Sequence, residues 1–368
     1  MKPAASPISR SLASLAHLAA TRRSLRIAYF GGSLTEGCGS SDPATLSWRA
    51  QTTRFFRGTF PAAEIHEIYA AIGGTGSYLG AFRLERDVLA AQPDLVFVEF
   101  AVNDNRVPES RVLRSLEGIV RHVRSAAPAC EIVFVLNGTA EYFADHTAGR
   151  TPAAVALHQR VAAHYGIHAI NTGHALWREF AEGRASTAEL FTDGVHATDA
   201  GYAIYSETVR AFLRTALAAS SDQLPVTPAS LPPPLTSNPL ERAALIDAWS
   251  LANESWQRCD QTLAGRYPHY VESTAPGATF IYAFSGTDIG LYWLIAPDSG
   301  EIEVSLDGQP PEIFSSWDFY ARDFTRASFV TLAEDLPHAA HTITVRVLPT
   351  RPGESTGYTV RIGALLVQ

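Results

Sequence analysis

Four polar points along the first part of the chain could together carry out acyl transfer. Ser33 follows Gly31-Gly32, and Gly73-Gly74-Thr75-Gly76 makes a second loop of bare backbone. Asn103 precedes Asp104, and Asp193 stands three residues before His196. A serine hydroxyl is a weak nucleophile until a neighbouring base takes its proton. His196 is the natural base, and Asp193 could orient its imidazole and stabilise the imidazolium that forms. The tetrahedral intermediate then needs hydrogen-bond donors for its oxyanion. A glycine loop offers backbone N–H groups, and Asn103 a side-chain amide. Taken singly, each feature also reads as ordinary structure: Gly31-Gly32 and Asp193-Gly194 as tight turns, Asn103-Asp104 as a turn after a strand, His196 as a surface histidine.

The elements around these points decide between the two readings. Residues 26–30 form a short apolar and aromatic run, the pattern of a buried strand. Further strands are expected over 64–71, 94–100, 131–136 and 166–171. Helical spacing covers 46–56, 78–91 up to Pro93, 109–125, 153–164 and 199–218. Five strands alternating with helices predict a three-layer, flavodoxin-like α/β domain with a parallel sheet. Ser33, the glycine loop and Asn103 all follow strands, the edge where such sheets hold ligands.

Composition changes near residue 220, where a stretch with five prolines and no helical period reads as a semi-rigid linker or a strap on the surface. Beyond it, strand-like runs at 278–284, 289–295, 301–306, 327–332, 341–347 and 358–366 are separated by Gly, Asp and Pro turns. Their spacing predicts an antiparallel β-sandwich of jelly-roll type. The expected organisation is a hydrolytic domain over 1–219, a Pro-rich linker over 220–240 and a β domain over 241–368.

With 46% hydrophobic and 18% charged residues in 368, the chain can bury a sizeable core. A net charge of −8 argues against a nucleic-acid surface or an anionic-membrane binder. Cys38, Cys130 and Cys259 lie far apart with no CxxC or Cys/His ligand spacing, so neither a disulfide framework nor a zinc site is expected. Residues 11–20 read as an amphipathic surface helix, and Arg22-Arg23 stand where a leader would be cleaved. No run approaches the roughly 20 apolar residues of a membrane span. A cytoplasmic protein without metal or organic cofactor is expected.

The order Ser, Asp, His is that of α/β-hydrolases, but the residue two after Ser33 is Thr35 and not the glycine of their elbow. The motifs resemble instead those of the SGNH (GDSL-type) hydrolases, over about residues 20–218. Block I resembles Gly31-Gly32-Ser33-Leu34-Thr35-Glu36-Gly37, with Ser33 as nucleophile. Block II resembles Ala70-Ala71-Ile72-Gly73-Gly74-Thr75-Gly76, where Gly74 best matches the oxyanion glycine, with Gly73 and Gly76 competing. Block III resembles Phe100-Ala101-Val102-Asn103-Asp104, and the Asp-x-x-His block Asp193-Gly194-Val195-His196. Gly32 replaces the acidic or Asn residue that often precedes the serine, and Ala101 the usual glycine of block III.

The resemblance implies a serine esterase releasing short acyl groups, with Ser33, Asp193 and His196 catalytic and Ser33, Gly74 and Asn103 holding the oxyanion. Acetylesterases of this family that act on carbohydrate sometimes carry a jelly-roll module, which implies a sugar or oligosaccharide ester as substrate. Trp249, Trp256, Tyr282, Tyr292, Trp293, Trp317, Phe319 and Tyr320 of the β domain are either its core or a sugar-stacking platform. That domain could also cap the cleft or join copies of the chain into a homo-oligomer. The alternatives are an acyltransferase on the same residues, or a carbohydrate-binding protein whose hydrolase domain is vestigial.

Overall fold

The computed structural model describes residues 12–218, 231–262 and 267–368. The chain divides into two compact units, Met1–Arg242 and Ala243–Gln368. In the first, helix α1 (Ala13–Arg22) leads into β1 (Ser24–Gly31), and α2 (Ser33–Glu36), α3 (Pro43–Leu46) and α4 (Trp48–Thr59) follow. Then come β2 (Glu64–Ala71), α5 (Ser77–Asp87), β3 (Leu95–Glu99), α6 (Glu109–Ala126) and β4 (Glu131–Val135). The unit closes with α7 (Tyr142–Thr147), α8 (Ala153–Tyr165), β5 (His168–Ile170), α9 (Thr172–Ala181), α10 (Thr187–Leu190) and α11 (Asp199–Ala218).

The sheet has the order β2-β1-β3-β4-β5, all parallel. This is the flavodoxin-like order, with its crossing point beside β1. Helices cover both faces, so the central strands are buried along their whole length and read as continuous apolar runs rather than alternating ones. β3 and β4 are buried at every position. On one face Ile27, Tyr29, Phe97 and Val135 pack with Trp48, Phe56, Tyr202 and Tyr205. Tyr29 stacks on Phe97 at 5.4 Å between centroids, and Trp48 stands edge-on to both. Register carries the functional consequence: Gly31 of β1 pairs with Ala71 of β2 and with Glu99 of β3. Three strand ends therefore stop level, and the segments leaving them start side by side.

The helix expected over 46–56 is interrupted at Ser47, whose hydroxyl accepts from the Ala50 N–H and caps α4. The helix expected to reach residue 91 ends at Asp87 and gives way to a single 3₁₀ turn, Leu89–Ala91. Of the stretch expected as a linker, the first part to residue 230 lies outside the described residues. The remainder is a strap on α6. Glu117 accepts from the Thr236 N–H and hydroxyl at 2.9 and 2.6 Å, and Arg114 Nε donates to Asn238 O at 2.8 Å.

The second unit contains β6 (Ala244–Asp247), β7 (Gln257–Cys259), β8 (Tyr270–Ser273), β9 (Thr279–Gly286) and β10 (Ile289–Ile295). It continues with β11 (Glu301–Leu306), β12 (Glu312–Ser315), β13 (Arg326–Ala333), β14 (Ala339–Val347) and β15 (Val360–Val367). One antiparallel sheet runs β13-β10-β15-β8-β7 with β6 also on β15, and the other β12-β11-β14-β9. Their facing side chains, among them Trp293, Ile362, Phe280 and Val345, form one core, which makes the unit a sandwich. Trp256, Tyr292 and Trp293 are buried, whereas Phe319 and Tyr320 are exposed.

Candidate active site

β1 runs into Gly31-Gly32 and delivers Ser33 as the first residue of α2. Gly32 lies directly against Asn103: a Cβ there would overlap the Asn103 side-chain oxygen and push it aside. The residue that departs from the family pattern is thus the one against which the asparagine packs. Asn103 leaves the neighbouring strand β3, and its side chain makes no hydrogen bond to the described residues. On the other side of β1, the Gly73–Gly76 loop leaves β2. A Cβ on Gly73 would lie 3.5 Å from Ser33 Cβ and 2.7 Å from Glu36 Oε2, so Gly73 approaches Ser33 closely. Gly74 has φ +72°, a left-handed conformation suited to glycine, and open space around its α-carbon.

His196 arrives from the segment before α11. Its Nε2 lies 3.0 Å from Ser33 Oγ and its Nδ1 2.7 Å from Asp193 Oδ2. Asp193 Oδ1 also accepts the backbone N–H groups of Val195 and His196, at 2.9 and 2.8 Å. Partial burial opposes the charge on Asp193, but these donors and the imidazole outweigh it and hold the carboxyl down at about 2. Three ties lock this segment against the chain that follows Ser33. Asp199 Oδ1 accepts from Ser40 Oγ at 2.8 Å, Asp199 Oδ2 from Ser41 Oγ at 2.6 Å, and the Tyr202 hydroxyl donates to Cys38 O at 2.8 Å. A further bond, Ala140 N–H to Gly194 O at 2.8 Å, holds the Asp193–His196 turn from the β4 side.

Around these residues lie further polar groups that no motif in the sequence marks. Glu99, the last residue of β3, is fully buried and accepts from Thr35 Oγ1 at 2.9 Å. Burial pushes its carboxyl up to about 8 against the pull of the Thr35 and Gly32 donors. Arg83 of α5 is fully buried and donates to Gly31 O at 3.0 Å and to Ala70 O at 2.7 Å, gripping the ends of β1 and β2. Its guanidinium sits 4.4 Å over the Phe30 ring. His158 of α8 bonds Asp104 Oδ2 at 2.9 Å in the interior. Asp42 is a plain helix cap, accepting the Ala44 N–H.

A hydroxyl, an imidazole and a carboxylate within hydrogen-bond reach, on the carboxyl edge of a 2-1-3-4-5 parallel sheet, are the framework of an SGNH-type hydrolase. Residues 29–204, within the N-terminal unit, match the GDSL-like lipase/acylhydrolase family. Among solved structures it is similar to a two-domain esterase active on acetylated mannans, at 24% identity and TM-score 0.82 over 98% of this chain and 96% of that one. The same kind of esterase co-crystallised with mannopentaose matches at 23% identity and TM-score 0.79, over 98% of this chain and 95% of that one. At this identity the likeness establishes the shared two-domain fold. No curated protein matches the sequence. No group of three or more His, Cys, Asp or Glu among the described residues could hold a metal ion. Nor is any described helix long and apolar enough to cross a membrane.

Proposed function

We propose that the protein is a serine esterase that removes acetyl groups from the hydroxyls of a carbohydrate, with acetylated mannan fragments as the first substrate to try. The observation that carries the reading is the run of short contacts from Ser33 Oγ through the two His196 nitrogens to Asp193. His196 Nε2 takes the Ser33 proton as Oγ attacks the acetyl carbonyl. The oxyanion forms beside the Ser33 and Gly74 N–H groups and the Asn103 amide. The tetrahedral intermediate collapses, His196 gives the proton to the departing sugar hydroxyl, and an acetyl-serine remains. Water then attacks that ester, again losing its proton to His196, and acetate leaves as Ser33 recovers its proton. Asp193, ionised throughout, holds the Nδ1–H and stabilises the imidazolium.

The sugar preference is supported by the substrates of the two similar two-domain esterases and by the matching accessory sandwich. The test is hydrolysis of p-nitrophenyl acetate, butyrate and octanoate by wild type and Ser33→Ala, followed by mass spectrometry of acetylated manno-oligosaccharides. Turnover of acetate that vanishes in the variant, with acetyl loss from the oligosaccharides, is expected. Equal residual rates for both proteins would overturn the assignment of Ser33. Acetyl transfer to an added sugar in preference to water would replace hydrolysis by transfer.

A further inference from the structure

Asp104 follows Asn103 directly, and its carboxylate is the meeting point of three segments that are distant in sequence. Oδ1 accepts the Ser77 N–H at 2.9 Å, the first residue of α5 and the end of the Gly73–Gly76 loop. Oδ2 lies 2.9 Å from His158 Nε2 on α8. Both side chains are sealed from solvent, at 2% and 0% exposure. Gly76 makes the first bond reachable, since a Cβ there would stand 2.5 Å from Asp104 Oδ1. The backbone of the loop is braced as well: Asp104 N–H donates to Phe100 O at 2.9 Å, and the Tyr142 hydroxyl to Ala101 O at 2.9 Å. On its far side the His158 ring meets Phe134 edge-on, at 5.9 Å between centroids. Removing two such polar groups from water is costly, and an apolar pair would pack between α8 and the sheet at lower cost. What the pair adds over an apolar contact is direction. It sets one loop against the other.

We infer that Asp104 and His158 form a positioning pair that holds Asn103 and the Gly73–Gly76 loop in the relative placement an oxyanion requires. The inference rests on the oxyanion reading given above and adds to it two residues that touch no substrate. Neither belongs to the Ser33–His196–Asp193 set, and neither exchanges a proton with the reacting atoms. An oxyanion donor displaced by about 1 Å can cost on the order of 10²-fold in rate. Loosening the pair should therefore act on turnover and leave ground-state binding alone.

The experiment is a double-mutant cycle on full-length protein between Asp104→Ala and Asn103→Ala, with p-nitrophenyl acetate as substrate and native circular dichroism required of each variant. Asp104→Ala is expected to lower kcat by about 10- to 10²-fold with KM changed by less than about twofold. The double variant is expected to be no more than about threefold slower than Asn103→Ala alone, because a misaimed amide and an absent one are equivalent. Asp104→Asn keeps an acceptor for the Ser77 N–H and is expected to recover most of the rate, as is His158→Gln relative to His158→Ala. Losses that multiply in the double variant, or that fall on KM, overturn the positioning role while leaving the oxyanion assignment standing. A wild-type rate for Asn103→Ala overturns both. If Asp104→Ala does not fold, His158→Ala takes its place in the same cycle.

Discussion

Replacing Glu99 by glutamine should stabilise the N-terminal unit increasingly as the pH rises. The side chain is fully buried at the end of β3, with the Thr35 hydroxyl donating to Oε2 at 2.9 Å. Desolvation moves its carboxyl from the ordinary 4.5 to about 8. In this window the folded protein keeps the proton and the unfolded chain releases it. The stabilising contribution is therefore complete below 4.5 and is lost as the pH climbs through 8. Each pH unit inside the window is worth about 1.4 kcal/mol, so the difference between variant and wild type should grow by about 2.7 kcal/mol over two pH units. Glutamine carries a constant cost for seating an amide there, about 1–3 kcal/mol, which shifts the whole curve without changing its slope. All the α-helices among the described residues lie in the N-terminal unit, so urea unfolding followed at 222 nm reports that unit. Measurements at about pH 5.5, 6.5 and 7.5 bracket the steep part of the curve. A difference that stays flat within about 0.5 kcal/mol across that range would show that Glu99 is ionised in the folded state, and the argument from burial would fail.

Three further outcomes follow from the geometry. Gly32→Ala should lower kcat by on the order of 10²-fold, because the new methyl group displaces Asn103; Gly32→Ala in the Asn103→Ala background should then cost little more, and a wild-type rate for the single variant would contradict the packing. Asp193 should contribute nothing to any acid loss of activity above about pH 3, since its carboxyl stays ionised down to about 2; a logarithmic pH–rate plot whose acid limb reaches a slope of two above that pH would mean that the carboxyl titrates there. Arg83→Leu should cost about 1–3 kcal/mol in the same urea assay, because Ala70 O loses a buried donor and Gly31 O keeps only the Ile72 N–H; a cost below about 0.5 kcal/mol would show that another group takes over at Ala70 O.

Much of the architecture was legible because it is written in local pattern. The runs 64–71, 199–218, 289–295 and 301–306 were read from periodicity and turn residues alone, and they coincide with β2, α11, β10 and β11. Ser33, Asn103, Asp193 and His196 stand out as candidates for a related reason. Reactive side chains leave the ends of strands on loops whose glycines and asparagines mark the turn, and few residue types can do that chemistry. The elements that escaped depend on their neighbours. β7 has three residues and is held as a strand by β8, while β6 and β12 are four-residue edges borne by β15 and β11. α9 was passed over although Asn171 caps it, because it follows β5 with only that residue between.

The support of the site was decided by tertiary structure. Glu99 meets Thr35 across 64 positions, Asp104 meets His158 across 54, and Arg83 reaches back 52 to Gly31. No window of sequence contains both members of such a pair. Their character also depends on what surrounds them: burial beneath the Gly31–Ser33 turn moves the same carboxyl from the ordinary 4.5 up to about 8, because only the folded protein takes the water away. The amino-acid sequence alone determined which groups could react and which strand ends would carry them. How those groups are held and charged belongs to the packed interior, where desolvation and distant partners set the energies.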